Sequence, residues 1–430
     1  MDCKDGKQIA ELNSSMSLMP ASALKALTCA AAIELLGKDF RFETNLEYDG
    51  VIDTSKTLHG NIYIRGGGDP TFGCNRFGAS SYYKNIFDQW LVALQKAGIK
   101  KIDGKIISDA SIFDDEAIAD GWLWEDIANA YGAGAHGLTF LENSYQIYFD
   151  PAKNIGEKAI ILRTEPELKE LKLKNNVTTA GSRTGDQTVI YNSTNANEKI
   201  INGTIPFANF NFSVGGALTH PDTLCVYLFK KFLSENNIII NTVSNDSLKN
   251  NSKRIIIATH LSPRLESIVR ETLLNSINTY AEDMLKYLGY YKYHIGDRTH
   301  GIQAVEAFLK SKGVNTEGFI MKDGCGLSRK DLITTNQFAD MLYKISKEKY
   351  FNTFYSSLPE IVYADKSNPQ KKIIVKAKSG SMEKVRSYAG YVMNKNNQLL
   401  SFAIIINNYD ADKFVIRNEL KKLILMLTEL

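Results

Sequence analysis

The run from Ala23 to Leu36 is apolar on every side, yet a lysine stands in its first turn. Its middle, Ala26-Leu-Thr-Cys-Ala-Ala-Ala-Ile33, offers no polar face, so a helix here must be central and buried. Pro20 near its start and Gly37 past its end are proper helix punctuation. Ser22 and Lys25 then fall one above the other on one face of the first turn. A buried lysine loses hydration of its charged form, its pKa falls, and its amine becomes a base. Backbone N–H groups at the same helix end favour a developing oxyanion at Ser22.

Two more short strings follow in order, Ser276-Ile-Asn278 and Lys378-Ser-Gly380. Singly they say little: Ser-x-x-Lys recurs at Ser81/Lys84, Ser346/Lys349 and Ser381/Lys384, and Ser-x-Asn at Ser193/Asn195 and Ser234/Asn236. Together they supply a nucleophile, its base, a proton shuttle and a carboxylate anchor, the S-x-x-K, S-x-N and K-T-G set of the serine penicillin-recognising enzymes. That set fixes a reaction class, acyl transfer through a serine ester.

The surroundings of the third string are strand-like. Lys371 to Met382 is rich in β-branched residues, Arg386–Met393 and Gln398–Asn407 read as two more strands, and Phe414 to Leu430 as an amphipathic closing helix. The fold expected is α/β (α+β): an antiparallel sheet covered by helices, a serine transpeptidase/β-lactamase-like domain, with a large strand-rich insert.

Longer strings carry a family resemblance over nearly the whole chain. Met19-Pro-Ala-Ser-Ala-Leu-Lys25, Asn61-Ile-Tyr-Ile-Arg-Gly-Gly-Gly-Asp-Pro-Thr-Phe72, Gly121-Trp-Leu-Trp-Glu-Asp126 with Tyr131-Gly-Ala133, Ser276-Ile-Asn-Thr-Tyr-Ala-Glu282 and Asp323-Gly-Cys-Gly-Leu-Ser-Arg329 resemble segments of the D-alanyl-D-alanine carboxypeptidase/endopeptidases, the class C low-molecular-mass penicillin-binding proteins. The interval from Ser22 to Ser276 is more than twice that from Ser276 to Lys378, which matches that family's inserted domain. Three departures stand out: Ser379 for the usual Thr, Ile277 for a common Asp, and Cys325 for the usual Ser.

The resemblance implies cleavage of D-alanyl bonds in peptidoglycan stem peptides through an acyl-enzyme, with β-lactam antibiotics as covalent inhibitors. Ser22 is then the nucleophile, Lys25 its base, Ser276 a relay with Lys378 nearby, and Asn278 a partner of the substrate amide and of Lys25. Ser379, Gly380, Ser381 and Met382 would border the substrate, with the terminal carboxylate on Lys378, Ser379 and Ser381 and the oxyanion hole at the N–H groups of Ser22 and Ser381. Arg329 either contacts the stem peptide or is a salt-bridged loop arginine. Glu142 either recognises an amino group on the substrate's third residue or is a solvated carboxylate. Rival functions are a β-lactamase, an esterase of the same fold (these usually carry tyrosine where Ser276 stands) and a noncatalytic peptidoglycan-binding protein.

Composition narrows the partners. With 51 Lys and Arg against 48 Asp and Glu, the formal charge is +3 and no long like-charge block occurs, so nucleic acid is not expected. No apolar run has the length of a membrane span. The five cysteines lack metal-ligand spacing and the six histidines include no His-Glu-x-x-His pair, so neither metal nor cofactor is expected. Self-association stays open. No signal peptide precedes Ser22, and an extracytoplasmic, periplasmic location rests on the resemblance. Little remains of the family's strand before Asp2–Lys7, which would leave an open sheet edge.

Residues 1–45 and 255–430 are read as the catalytic domain with 46–254 inserted, and the resemblance implies that this insert forms two subdomains. The insert's expected strands are Gly60–Arg65, Gly104–Asp109, Tyr145–Phe149, Lys158–Arg163 and Thr188–Tyr191, with a helix over Pro221–Glu235 and a polar return from Asn241 to Lys253.

Overall fold

The computed structural model describes residues 1–192, 198–241, 253–364 and 372–430. Two compact units emerge, one of Met1–Phe40, Ala119–Gly121 and Arg264–Leu430, the other of Arg41–Ile118 and Trp122–Pro263. Most of the polar return after Asn241 lies outside the described residues.

In the first unit the β-branched run becomes the strand Lys372–Met382, inside a four-stranded sheet. The order is Glu360–Ala364, Lys372–Met382, Val385–Met393, Leu399–Asn407, each pair antiparallel. Alternation along the strands sends successive side chains to opposite faces. Val375, Ala377, Val392, Leu400 and Phe402 meet Leu420 and Ile424 of the closing helix Lys413–Thr428. On the other face Tyr391 Oη and Ser401 Oγ donate to the carbonyls of Leu342 (2.7 Å) and Ala339 (2.9 Å) on the helix Thr335–Ile345. The sheet is thus covered by helices on both sides. Its outer edge is not open as expected: Met1 N donates to Ser401 O at 2.8 Å, Ser401 N to Met1 O at 2.9 Å and Cys3 N to Leu399 O at 2.8 Å.

The all-apolar run forms the helix Lys25–Leu36, in which Lys25 to Ile33 are all buried. Gly37, at φ 85°, ends it and returns its N–H to Ile33 O at 3.0 Å. The helix packs against Leu265–Asn275 and Asn278–Tyr293. Burial of Leu27 and Ile33 contributes about 1.5–3 kcal/mol each.

The second unit is strand-rich and, among the described residues, has two hydrophobic clusters. One joins Leu46, Ile62 and Ile64 to Trp90 and Phe87 of the helix Tyr83–Lys96 and to Phe229 of the helix Pro221–Glu235. The other joins Ile147 and Phe149 to Val177, Ile190 and Ile201. The glycine-rich turn ends in a buried knot. Asp69 Oδ1 accepts from Thr71 N (2.8 Å) and Thr71 Oγ1 (2.7 Å), while its Oδ2 has no hydrogen-bond partner and faces His260 Nε2 at 3.8 Å.

Candidate active site

Ser22 stands in a short 3-10 turn, Ala21–Leu24, that runs directly into the buried helix. Ala21 has φ 47°, a left-handed backbone that a non-glycine residue adopts at a cost of about 1–3 kcal/mol. Lys25 lies one turn on, fully buried, with Nζ 3.0 Å from Ser22 Oγ. The same nitrogen donates to the backbone carbonyl of Cys325 at 2.7 Å. Burial lowers the Lys25 pKa below the ordinary lysine value, opposed by the charges of Asp323 and Glu282 nearby.

The loop presenting that carbonyl is the Asp323–Arg329 string. Asp323 Oδ1 accepts from the N–H groups of Cys325 (3.1 Å) and Gly326 (2.5 Å), and Oδ2 from those of Leu327 (2.9 Å) and Ser328 (2.6 Å). Glu282 Oε1 accepts from Gly324 N (2.6 Å) and Cys325 N (3.0 Å), and its Oε2 lies 3.3 Å from Arg298 Nε. Burial and then the Asp323 charge raise the Glu282 pKa. Ligand atoms of Glu282, Asp323 and Cys325 lie within 4.8 Å of one another, the spacing of a metal site. Their carboxylate oxygens are already committed to main-chain donors and Arg298, so they organise a loop. Cys325 contributes its carbonyl, while burial holds its thiol pKa well above the ordinary value.

Ser276 ends the helix Leu265–Asn275 at φ 55°, and Asn278 begins the helix Asn278–Tyr293. Glu282, four residues after Asn278 on that helix, is the residue that grips the Cys325 loop. Both helices pack on the Lys25 helix, and the strand that carries Lys378 packs on the Ser22 turn, so all three strings belong to one unit.

Lys378 is 3% exposed, and its Nζ donates to Ser379 O at 2.9 Å. Burial first, and then the charge of Lys25, lower its pKa to about 7. Gly380 is required by close approach: a Cβ there would collide with Pro20 O, Ala23 N and Ser387 Oγ. Ser387 Oγ donates to Pro20 O, and Asn407 Oδ1 accepts from Met19 N at 2.7 Å, so the sheet holds the segment that leads into the Ser22 turn. Strand Glu360–Ala364 pairs no further than Lys376. Beyond it, Ser379 is half-buried, Ser381 exposed and Met382 half-buried, on a strand edge that no named strand covers among the described residues.

The other two sequence candidates have partners. Arg329 Nη2 lies 3.8 Å from Glu383 Oε2. Glu142 belongs to the second unit, where its two oxygens accept from Arg76 Nε (2.7 Å) and Nη2 (2.9 Å). Residue type alone did not single out Asp323, Glu282 or the Cys325 carbonyl, although their strings were visible.

The model of the D-Ala-D-Ala carboxypeptidase 3 (S13) family matches residues 1–430. The chain belongs to this family. It is a serine-type peptidase of the D-Ala-D-Ala carboxypeptidase class. The chain is 26% identical to a D-alanyl-D-alanine carboxypeptidase of Actinomadura sp. (strain R39), over 96% of this chain and 77% of that protein. It is 25% identical to the D-alanyl-D-alanine carboxypeptidase DacB of Haemophilus influenzae, over 94% of this chain and 83% of that one. In fold it is similar to the crystal structure of penicillin binding protein 4 (dacB) from Haemophilus influenzae, with a TM-score of 0.76, 24% identity, and coverage of 96% of this chain and 90% of that one. This S13 peptidase has the mixed sheet-and-helix fold expected from its strings. Among its described residues no helix is long and apolar enough to cross a membrane.

Proposed function

We propose that this S13 peptidase removes D-alanine from peptidoglycan stem peptides through an ester on Ser22. The observation that carries the assignment is the fully buried Lys25 amine 3.0 Å from Ser22 Oγ. A neutral Lys25 accepts the hydroxyl proton as Oγ attacks the carbonyl of the penultimate D-Ala. The tetrahedral oxyanion takes the N–H groups of Ser22 and Ser381. The C–N bond breaks as Ser276, with Lys378 and Asn278 beside it, returns a proton to the leaving amine. Water then attacks the ester carbonyl, its oxygen passing to the peptide acid and its proton through Lys25 to the departing Ser22 Oγ, which restores the hydroxyl.

The strand edge from Lys378 to Met382 supports an extended substrate backbone, with the terminal carboxylate on Lys378, Ser379 and Ser381. In this reading the unit of Met1–Phe40 and Arg264–Leu430 is catalytic and the strand-rich unit is an insert of two subdomains. Arg329 is held in reserve for the stem peptide by its weak, exposed contact with Glu383. Glu142, engaged bidentately by Arg76, fits a structural role better than recognition of an amino group. β-Lactams would acylate the same serine, in keeping with a β-lactam complex of the Haemophilus influenzae protein. The work place of such an enzyme is outside the cytoplasm, in the periplasm where the wall has one.

Labelling with a fluorescent penicillin, read by intact mass on wild type beside Ser22→Ala, tests the assignment. An adduct on wild type alone, with D-alanine release from a D-Ala-D-Ala-ended peptide, is expected. An adduct persisting on Ser22→Ala would sink it.

A further inference from the structure

The strand-rich unit holds a partly open pocket of about 110 Å³. Ile118, Ile127 and Leu218 give it apolar walls, and Lys199, Asn192 and His136 give it polar ones. Lys199 and Asn192 are directly opposed on the strands Glu198–Pro206 and Val189–Asn192, so both side chains leave the sheet on one face.

Lys199 is 8% exposed and its Nζ donates to Ala217 O at 2.6 Å. An ammonium carries three donors, and this is the one protein acceptor it has among the described residues. The Tyr145 ring lies beneath it, 5.4 Å from Nζ, and the Tyr145 hydroxyl is itself buried without a hydrogen-bond partner. Among the described residues no carboxylate pairs with Lys199, and residues 193–197, outside that set, are Ser, Thr, Asn, Ala and Asn. Lys312 shows the usual alternative: half-buried, it sits between Glu34 (3.0 Å) and Glu348 (2.5 Å). A buried cation without a counter-ion is costly, and burial alone lowers the Lys199 pKa, to about 8, so it still carries its proton at neutral pH.

We propose that this pocket binds a short-chain carboxylate, with the carboxylate on the Lys199 ammonium and the Asn192 amide and the hydrocarbon end on Ile118, Ile127 and Leu218. The charge supplies what Lys199 lacks, a buried acceptor of opposite sign. The volume is smaller than the ~150 Å³ cavity that admits benzene, which limits the ligand to a few heavy atoms. Inorganic phosphate, with four polar oxygens, would meet apolar wall on one side and is disfavoured. The inference is independent of the role given to Ser22.

Titration calorimetry of the whole chain with propionate, acetate and inorganic phosphate at neutral pH tests it. Saturable binding of propionate, tighter than acetate, is expected in wild type, weakened about tenfold or more in Lys199→Met. Asn192→Leu should weaken it as well, and decides the matter if Lys199→Met does not fold. Penicillin labelling of the same samples reports on folding separately. The proposal is overturned if propionate gives no saturable heat, if both variants bind it as wild type does, or if phosphate binds equally well.

Discussion

Lys25 Nζ donates to the backbone carbonyl of Cys325 at 2.7 Å, across 300 residues of sequence. The bond fixes the amine on the side of Ser22 and is made by the main chain at position 325, not by the thiol. A main-chain acceptor serves equally from cysteine or serine. What must be preserved is the path of the loop.

Lys25→Met should therefore remove the base while leaving the fold. Acylation by penicillin is expected to fall by about 10²–10⁴ or more. The variant should lose about 1–3 kcal/mol of stability, because the buried Cys325 carbonyl loses its donor, and still fold. Acylation within tenfold of wild type in a folded Lys25→Met protein would assign the base elsewhere.

Asp323→Asn tests the loop. The carboxylate accepts four backbone N–H groups, and an amide would turn an NH₂ toward two of them. The variant should lose about 3–5 kcal/mol in urea unfolding and acylate slowly, with the two effects falling together. Unchanged acylation would show that the Cys325 carbonyl is not needed for the geometry at Lys25.

Gly380→Ala addresses the contact between the strand and the Ser22 turn. Its Cβ has to push away Pro20 O, Ala23 N or Ser387 Oγ, two of which are main-chain atoms of the nucleophile segment. A loss of about 1–3 kcal/mol is expected from overpacking, with acylation affected more than stability. A crystal structure of the variant with the turn unmoved would contradict the close packing described.

Asp69 and His260 give a pH signature. Burial raises the Asp69 pKa to about 6 and lowers that of His260 to about 4. Asp69 favours folding when protonated, so its contribution is present below about pH 4 and is lost as pH rises through 6. His260 favours folding when neutral, so its contribution is present above about pH 6.5 and is lost as pH falls through 4. Asp69→Asn should thus stabilise at pH 8 relative to its effect at pH 4, by on the order of 1–3 kcal/mol. Urea unfolding at the two pH values checks this; equal effects at both would place the ionised carboxylate in a better-solvated setting.

Much of this architecture was legible. The Lys25 helix was marked by an unbroken apolar run, and Pro221 and the following spacing marked a helix whose bounds, Pro221–Glu235, are those found. The three strands after Lys371 declared themselves by β-branched residues. The helix Tyr83–Lys96 was overlooked although Ile86, Phe87, Trp90 and Leu94 lie on one helical face. Strands Lys172–Ala180 and Glu198–Pro206 were hidden for a better reason. They pair in parallel, with exposed Lys172, Lys174 and Asn176 interrupting the apolar pattern, so their state depends on a distant partner. In the site, the three strings were visible but their geometry was not. A backbone carbonyl at Cys325 has no residue-type signature, and neither Ala21 nor Ser276 advertises a left-handed backbone as glycine would.

The clamp of Pro20–Ala23 by the strand Lys372–Met382 also sets a clock. The nucleophile turn precedes the carbonyl that holds its base by about 300 residues, and the strand that braces it comes later still. Contacts this far apart in sequence form late. A growing chain therefore has no braced Ser22 turn until the strand Lys372–Met382 has been made.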